Sequence, residues 1–340
     1  MNVLVTGGYG FIGSHLIKKL YKEGHFIVNI DKLTYSSNID NIPIEIQKSN
    51  KYVVYHIDIV ESDHIYDIIK LHKINNIIHL AGECHVDRSI LDPLKFIQTN
   101  VNGTCSLLMA ANKYFKDNNI TFFYASTDEV YGSISIGEVS TEQYPINPSS
   151  PYSSSKAAAE LMTLAFYKTY KLPVVIFSLA NVFGPHKFPD SLIPKTIVSC
   201  INKTNIITHG TGKQIRLWNY ISDVVNAIVF LINNGKHAEK YNISSETEIS
   251  VNDIIEIIIN KFNLIDSFDY DKLIINVPDR KGQDFRYSSS AKKMKSLGFY
   301  HSYTFDEALD ETINWYIKNK NFFTITEKDD ILNGNYIINS

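Results

Sequence analysis

The chain has few of the residues that characterise secreted, fibrous or disordered proteins. Its 340 residues include three cysteines, 16 glycines and 10 prolines. Three cysteines without metal-ligand spacing neither form a disulfide framework nor hold a zinc ion, which indicates a reducing compartment. The low content of glycine and proline excludes a collagen-like or linker-rich chain. We therefore expect an ordinary globular protein.

Long apolar runs and a strong excess of one charge are also missing. No segment approaches the roughly 18 consecutive apolar residues of a membrane span, and residues 1–6 lack the features of a signal peptide. The 33 Lys and Arg residues and 36 Asp and Glu residues give a net charge of −3 and are interspersed along the chain. A basic surface for nucleic acid is therefore not expected. These features predict a cytoplasmic protein whose partners include neither a membrane nor a nucleic acid.

Short β-branched segments alternate with amphipathic segments over the first half of the chain. Strands are predicted at residues 2–6, 26–30, 52–56, 77–80, 121–125 and 174–179. Helices are predicted between them at residues 13–23, 64–72, 99–115 and 154–170. Strands separated by helix-length segments pair in parallel through right-handed crossovers. The predicted fold is therefore an α/β, doubly wound parallel sheet of the Rossmann type.

The pattern changes after residue 179, where three prolines crowd one loop. Helices are predicted beyond it at residues 192–202, 223–233, 251–262 and 305–318, with short strands between them. We expect residues 1–179, with a returning segment at about residues 218–245, to form the nucleotide-binding domain. Residues 180–217 and 246–325 are predicted to form a smaller, interleaved α/β substrate lobe, and residues 326–340 a polar tail.

Four glycines lie between the first predicted strand and the first predicted helix. Gly7, Gly8, Gly10 and Gly13 match dinucleotide-binding loops, whose backbone approaches a pyrophosphate at a helix N-terminus. Asp31 ends the second predicted strand, where a carboxylate accepts hydrogen bonds from a ribose diol and repels a 2′-phosphate. The alternatives are a plain tight turn for the glycines and a helix cap or surface carboxylate for Asp31. Together these residues predict NAD, rather than NADP, as the cofactor.

A tyrosine and a lysine four residues apart mark the helix predicted at residues 154–170. That spacing places Tyr152 and Lys156 on one helix face, and a nearby ammonium favours the phenolate, so the tyrosine can serve as a base. The pair alone is weak evidence, because the chain has 21 tyrosines and such pairs are common on solvated helices. Its value comes from the segment that precedes it.

That segment, Ser-Thr-Asp-Glu at residues 126–129, follows a predicted parallel strand. The carboxyl ends of such strands are where open α/β sheets place their chemistry. Two adjacent carboxylates, Asp128 and Glu129, can receive different environments there, and hence acid and base roles. The alternative is a helix-capping or solvated acidic turn. The Tyr152 and Lys156 pair downstream favours the catalytic interpretation.

At this point the chain resembles a known family, the nucleoside-diphosphate-glucose 4,6-dehydratases of the extended short-chain dehydrogenase/reductase type. The resemblance spans about residues 2–318 and rests on GGYGFIGS at 7–14, DKLTY at 31–35, ECHVDRS at 83–89, STDEVYG at 126–132 and YSSSK at 152–156. Related sugar epimerases carry small or hydroxyl residues where this chain has Asp128 and Glu129. The resemblance implies these cofactor-binding residues: Gly7, Gly10, Phe11, Ile12, Gly13, Asp31, Lys32, Asp58, Ile59, Leu80, Ala81, Thr99, Tyr152 and Lys156. For Asp58 and Ile59, loop packing is the alternative to flanking an adenine.

The resemblance also implies a reaction. Tyr152 would take the proton of the sugar 4-hydroxyl, with Thr127 bonded to the same oxygen, while Lys156 binds the nicotinamide ribose and lowers the tyrosine pKa. The hydride passes from C4 to NAD, Glu129 removes the C5 proton and Asp128 protonates the departing 6-hydroxyl. The hydride then returns to C6, which gives a 4-keto-6-deoxy sugar for rhamnose or another 6-deoxyhexose. NAD is regenerated within each turnover.

The predicted substrate-binding residues are Glu83, Asn181, Lys195, Arg216, Asn242, Arg280 and Gln283. Arg216 is the strongest candidate, because a guanidinium matches phosphate oxygens bidentately, although a structural salt bridge is the alternative for any one of them. Asn242 either contacts a ribose or caps a turn. The Asn181-Val182 pair is more similar to UDP-glucose enzymes than to dTDP-glucose enzymes, so UDP-glucose is the weakly preferred expectation.

Three further expectations concern partners and alternatives. The resemblance implies a homodimer built on the helices predicted at residues 99–115 and 154–170. No metal site is predicted, since His85 has no partner ligand at helical or turn spacing. The competing functions are a UDP-sugar 4-epimerase and a non-catalytic NAD-binding regulator.

Overall fold

The computed structural model describes residues 1–322, which form twelve strands and twelve α-helices. The strands are β1 (Asn2–Thr6), β2 (Phe26–Ile30), β3 (Tyr52–Tyr55), β4 (Asn76–His79), β5 (Thr121–Thr127), β6 (Val174–Leu179), β7 (Asn181–Phe183), β8 (Ile206–His209), β9 (Ile215–Tyr220), β10 (Glu239–Ile243), β11 (Glu248–Ser250) and β12 (Ile274–Val277). The helices are α1 (Phe11–Lys22), α2 (Ile44–Gln47), α3 (Ser62–Leu71), α4 (Val86–Leu91), α5 (Pro93–Phe96), α6 (Gly103–Phe115), α7 (Pro151–Tyr170), α8 (Leu192–Asn202), α9 (Ile221–Asn234), α10 (Val251–Asn263), α11 (Lys292–Ser296) and α12 (Phe305–Lys318). Within this part of the chain, no helix is long and apolar enough to cross a bilayer.

Seven parallel strands form the main sheet, in the order β10-β6-β5-β4-β1-β2-β3. The central strands are buried on both faces, as near-continuous apolar sequence predicts for a sheet covered by helices on either side. The winding direction reverses between β1 and β4, and such a switch point opens a crevice at the carboxyl ends of the strands. The predicted doubly wound sheet is confirmed, and it locates the site.

Two smaller sheets lie beyond the main one. Strands β7, β9 and β11 form the first, and the parallel pair β8 and β12 forms the second. After β9 the chain returns to the main sheet through α9 and β10, and β10 pairs with β6. The boundaries expected between the nucleotide-binding domain and the substrate lobe stay a prediction. The polar tail predicted at residues 326–340 lies outside the described residues.

Most element bounds agree with the sequence-based expectation within a few residues, and two differences bear on function. Strand β5 continues past the predicted residue 125 to Thr127, because Ser126 and Thr127 pair with β6. The helix predicted at 99–115 begins instead with a π-helical segment, Ile97–Asn102, before α6. A π-helical turn is common next to functional sites. Here Asn100, buried within it, binds the backbone of Glu83.

The loop between β1 and α1 has no room for a side chain at Gly13. A Cβ there would lie 2.2 Å from the Gly7 carbonyl oxygen and 2.8 Å from the Gly8 Cα. We predict that Gly13→Ala lowers the free energy of unfolding by about 1–3 kcal/mol and weakens dinucleotide binding, because the backbone cannot move aside without opening the loop. Urea unfolding and titration with NAD measure both effects.

The control is Gly137→Ala, where a Cβ meets nothing within 4 Å, although φ is +87°. That backbone strain costs about 1 kcal/mol without touching the loop. Equal NAD affinity in the wild-type protein and Gly13→Ala would contradict the prediction.

Candidate active site

A cavity of about 430 Å³ opens at the carboxyl ends of the main-sheet strands. Its walls come from the glycine loop, the end of β5, the start of α7 and segments of the smaller sheets. The predicted residues that line it are Gly7, Phe11, Ile12, Gly13, Leu80, Glu83, Thr127, Asp128, Glu129, Tyr152, Lys156, Asn181, Lys195, Arg216, Arg280 and Gln283. The structure thus brings together cofactor, catalytic and substrate candidates that are distant in sequence.

A smaller cavity of about 80 Å³ adjoins it at Gly7 and Leu80. The predicted residues that line it are Gly7, Asp31, Lys32, Ile59, Leu80, Ala81, Glu83 and Thr99. The Asp31 carboxylate accepts hydrogen bonds from the Tyr9 amide at 2.9 Å and the Leu33 amide at 2.8 Å, which fix its orientation. Asp58 instead pairs with Lys32 at 3.0 Å.

The glycine loop fits the pyrophosphate of a dinucleotide. At Gly7, φ is +72° and a Cβ would lie 2.9 Å from the Ala81 backbone, so only glycine suits this turn. Gly10 caps α1 without a side-chain hydrogen bond, so the first amides of the helix have no capping acceptor and point to where an anion binds. A side chain in place of these glycines would therefore fill the space that the loop leaves for an anion.

Strand β5 delivers the catalytic motif to the edge of the sheet. Its last residue, Thr127, accepts a hydrogen bond from the Glu129 amide at 3.3 Å and so caps the 3-10 turn Asp128–Tyr131. This turn places the two acidic side chains against the cavity directly after the strand. The acidic pair is therefore part of a rigid strand end rather than of a solvated loop.

Burial gives the two neighbouring carboxyl groups different proton affinities. Asp128 is 3% exposed, and its pKa rises to about 8, first through burial and then through the negative charge of Glu129. Glu129 faces the cavity, and burial raises its pKa to about 7, while the Arg216 guanidinium opposes the rise. Near neutral pH, Asp128 holds its proton as an acid, and much of Glu129 is ionised as a base.

Tyr152 enters the cavity from the first turn of α7. Ser150 and Ser153 form a capping box around this helix start, which fixes the position of the tyrosine. The Tyr152 and Thr127 side chains both line the cavity, and burial raises the pKa of Tyr152 well above the usual value. The Lys156 ammonium donates to the Ala125 carbonyl oxygen at 2.6 Å, and burial lowers its pKa to about 8. The expected lowering of the Tyr152 pKa by the Lys156 ammonium stays a prediction, since burial dominates the pKa of this tyrosine in the structure.

Arg216 differs from its predicted arrangement. Its NH1 donates to the carbonyl oxygen of Ile215 at 2.7 Å, its NH2 donates to that of Asp284 at 2.9 Å, and its guanidinium carbon lies 4.2 Å from the Tyr287 ring centroid. Arg216 thus holds the segment that carries Asp284 and Tyr287 and supplies positive charge to the acidic pair. Its contact with a diphosphate stays a prediction.

Asn242 is the predicted substrate residue that the structure removes from the site. It is fully buried, outside the residues that line either cavity. Its Oδ1 accepts from the Tyr131 hydroxyl at 2.9 Å, and its Nδ2 donates to the Ser140 carbonyl oxygen at 3.3 Å. The predicted ribose contact finds no support in this structure, because β10 places this amide behind the turn Asp128–Tyr131.

Sequence reasoning missed two polar residues beside Glu129. The Tyr287 hydroxyl lies 3.4 Å from Glu129 Oε2 and donates to Asp284 Oδ2 at 2.8 Å. Asp284 also accepts from the Ser149 hydroxyl at 2.7 Å. No motif or spacing connects residue 284 with residue 129, so only the fold could reveal this contact.

Comparison with known proteins decides the family. The family model for GDP-mannose 4,6 dehydratase matches residues 4–312 of this chain. The chain belongs to this family.

Similar proteins narrow the relationship within the family. The dTDP-glucose 4,6-dehydratase of Escherichia coli is 37% identical over 348 aligned positions, which cover 95% of either chain. The structure of DesIV, the dTDP-glucose 4,6-dehydratase of Streptomyces venezuelae with NAD bound, matches with a TM-score of 0.89 at 32% identity and covers 95% of this chain and 99% of its own. The dTDP-glucose 4,6-dehydratase of Bacillus anthracis str. Ames in complex with NAD matches with a TM-score of 0.86 at 36% identity, covering 95% and 98%. The resemblance to the nucleoside-diphosphate-glucose 4,6-dehydratases is confirmed.

The two carboxyl pKa values predict the pH dependence of turnover. The expected roles require ionised Glu129, so kcat/KM should rise with pH through about 7, and protonated Asp128, so kcat/KM should fall above about 8. The negative charge of Asp284 raises the pKa of Glu129. Asp284→Asn should therefore move the acidic limb to lower pH, with less than a tenfold loss of kcat at the optimum. A pH series of kcat/KM for both proteins measures this.

The alkaline limb serves as the internal control, because Asp284 is not among the main causes of the raised Asp128 pKa. An acidic limb that moves to higher pH in Asp284→Asn would contradict the assignment of Glu129 as the base.

Proposed function

We propose that this protein is an NAD-dependent nucleoside-diphosphate-glucose 4,6-dehydratase, a carbon-oxygen lyase. The observation that carries the proposal is the pair of adjacent carboxyl groups of Asp128, which is buried, and Glu129, which faces the cavity, with different pKa values beside Tyr152. Elimination of water requires one group that gives a proton and another that takes one. The pair meets this requirement near neutral pH.

The residues present fit NAD. The glycine loop would hold its pyrophosphate, and the carboxylate of Asp31 would receive its adenosine ribose in the smaller cavity. When bound, NAD supplies the hydride acceptor for C4 of the sugar and the hydride donor for C6. The negative charge of Asp31 would repel a 2′-phosphate, which supports NAD over NADP.

Tyr152 begins the reaction by taking the proton of the 4-hydroxyl, while Thr127 hydrogen-bonds to the same oxygen. Because burial disfavours the phenolate, the tyrosine needs positive charge nearby. Lys156, one helical turn further along α7, supplies it as long as its ammonium stays protonated. The three side chains converge on one wall of the cavity.

Glu129 and Asp128 then divide the elimination between them. The 4-ketone acidifies C5, so that the Glu129 carboxylate can remove the C5 proton. Asp128, protonated at neutral pH, gives its proton to the departing 6-hydroxyl. A 4-epimerase needs neither group, and a non-catalytic regulator has no use for two carboxyl groups that are desolvated beside a tyrosine. The acidic pair therefore supports the dehydratase over both alternatives.

For the nucleotide, we propose dTDP-glucose as the preferred substrate. The similar proteins are named for dTDP-glucose, and the weak expectation of UDP-glucose from Asn181 and Val182 finds no support among them. The ratio of kcat/KM for dTDP-glucose and UDP-glucose measures the preference.

We also propose a homodimer built on α6 and α7. Met109 and Leu161, on these neighbouring helices, are 55% and 54% exposed, and a second copy of the chain would cover them. Leu161→Glu should shift the protein from dimer to monomer in sedimentation analysis, because it places a charge in that interface. A wild-type protein that sediments as a monomer would contradict the proposal.

Replacing the proposed base separates oxidation from elimination. Glu129→Gln should still oxidise the sugar, seen as absorbance of reduced nicotinamide in a single turnover, and should lose at least about a hundredfold in dehydration. Tyr152→Phe is the matched variant, since it should prevent the oxidation itself while leaving NAD bound. Normal dehydration by Glu129→Gln would sink the proposed mechanism.

A further inference from the structure

A buried ion pair lies behind the catalytic strand end. Glu160 follows Lys156 on α7 by the same interval that separates Lys156 from Tyr152, so all three side chains share one helix face. Its carboxylate, 2% exposed, accepts a hydrogen bond from the Ser126 hydroxyl at 2.6 Å and pairs with the Lys240 ammonium at 2.8 Å. Lys240 is itself buried on β10. Neither the cofactor loop nor the acidic pair uses this cluster.

Stability alone is a poor reason to bury such a pair. Removing two charges from water is costly, and apolar side chains of similar volume often serve equally well or better. Lys240 gains one further contact, with the Tyr131 ring centroid 4.2 Å from its Nζ. We therefore expect the charges of Glu160 and Lys240 to have a role that an apolar contact could not fill.

The face of α7 binds two consecutive residues of β5. Lys156 donates to the Ala125 carbonyl oxygen at 2.6 Å, and Glu160 accepts from the Ser126 hydroxyl at 2.6 Å. The Glu160 carboxylate makes the second of these contacts. It fixes the strand just before the turn that carries Asp128 and Glu129.

The same carboxylate also acts on Lys156 through its charge. Burial lowers the pKa of Lys156 to about 8, while the charge of Glu160 opposes that change. The other titratable groups that act on or contact this ammonium are Cys84, His79, Tyr124 and Tyr152. Burial keeps His79 neutral, with a pKa of about 3, and the Cys84 thiol is neutral near pH 7 because its pKa is raised. Glu160 is thus the carboxylate that favours the charged form of Lys156.

We propose that Glu160 is a positioning residue, which keeps Lys156 protonated and holds the end of β5 in register with α7, and that Lys240 is its fixed counter-ion. The inference rests on the proposed function, because it assigns the pair to the oxidation step. Lys240, on β10, would thereby connect the last strand of the main sheet to the chemistry of Tyr152.

The test measures oxidation of dTDP-glucose by the NAD-loaded protein in single turnovers, as a function of pH. An Asp128→Asn background removes the titration of Asp128 from the alkaline limb. Glu160→Gln keeps a hydrogen-bond acceptor for Ser126 but removes the charge. We expect the alkaline limb to move down by about one pH unit, which is about a tenfold loss of rate on the alkaline side. Glu256→Gln, on the exposed face of α10, is the matched control and should leave the limb in place.

Ser126→Ala separates position from charge. It removes the hydrogen bond to Glu160 and keeps the carboxylate, so the rate should fall severalfold without a shift of the alkaline limb. A shift of the limb in Ser126→Ala equal to that in Glu160→Gln would overturn the division of roles.

The variant Glu160→Leu/Lys240→Met keeps the test decisive if Glu160→Gln alone fails to fold. With two apolar side chains of similar volume, the protein should retain the wild-type melting temperature. The alkaline limb of its oxidation rate should nevertheless lie at the lower pH expected for Glu160→Gln. A wild-type limb in this stable double variant would overturn the inference and leave the pair a purely structural contact. A wild-type protein that does not oxidise dTDP-glucose would refute the proposed function instead.

Discussion

The desolvation of two consecutive carboxyl groups at the end of β5 is the constraint on which the rest of this structure depends. A carboxylate in water is an ordinary weak base, and two of them side by side repel each other. Behind a buried strand, Asp128 keeps its proton to about pH 8 and Glu129 loses its proton near pH 7. The positive charge of Arg216 opposes the rise of both pKa values, and the fold must hold all three side chains in place.

The architecture meets this demand by bringing distant segments to one edge of the main sheet. The reversal between β1 and β4 opens the crevice, β5 carries the acidic pair into it, and α7 places Tyr152 and Lys156 opposite. The smaller sheets then close the site with Arg216 and the segment around Asp284. Asp128, Glu129 and Tyr152 are thus held in place by a strand end and a helix start.

The sequence predicted what depends on local pattern. Strands such as Val174–Leu179 follow from runs of apolar residues, the glycine loop from its spacing, and the position of Asp128 and Glu129 at the edge of the sheet from their place after a strand. The sequence could not reveal the contacts that long-range packing decides. Asn242 lies behind the turn Asp128–Tyr131 because β10 pairs with β6. Arg216 binds backbone carbonyl oxygens because residues 284 and 285 lie next to its guanidinium. The pKa of Tyr152 depends on burial, which spacing cannot reveal.

The most direct test follows the hydrogens during turnover. The purified protein is incubated with dTDP-glucose in deuterated water, without added NAD, and the product is analysed by mass spectrometry and NMR. The account predicts loss of one water and a single deuterium at C5, because Glu129 exchanges its proton with solvent while the hydride from C4 returns to C6 unexchanged. Deuterium at C6, or a product that retains all its oxygen, would contradict it.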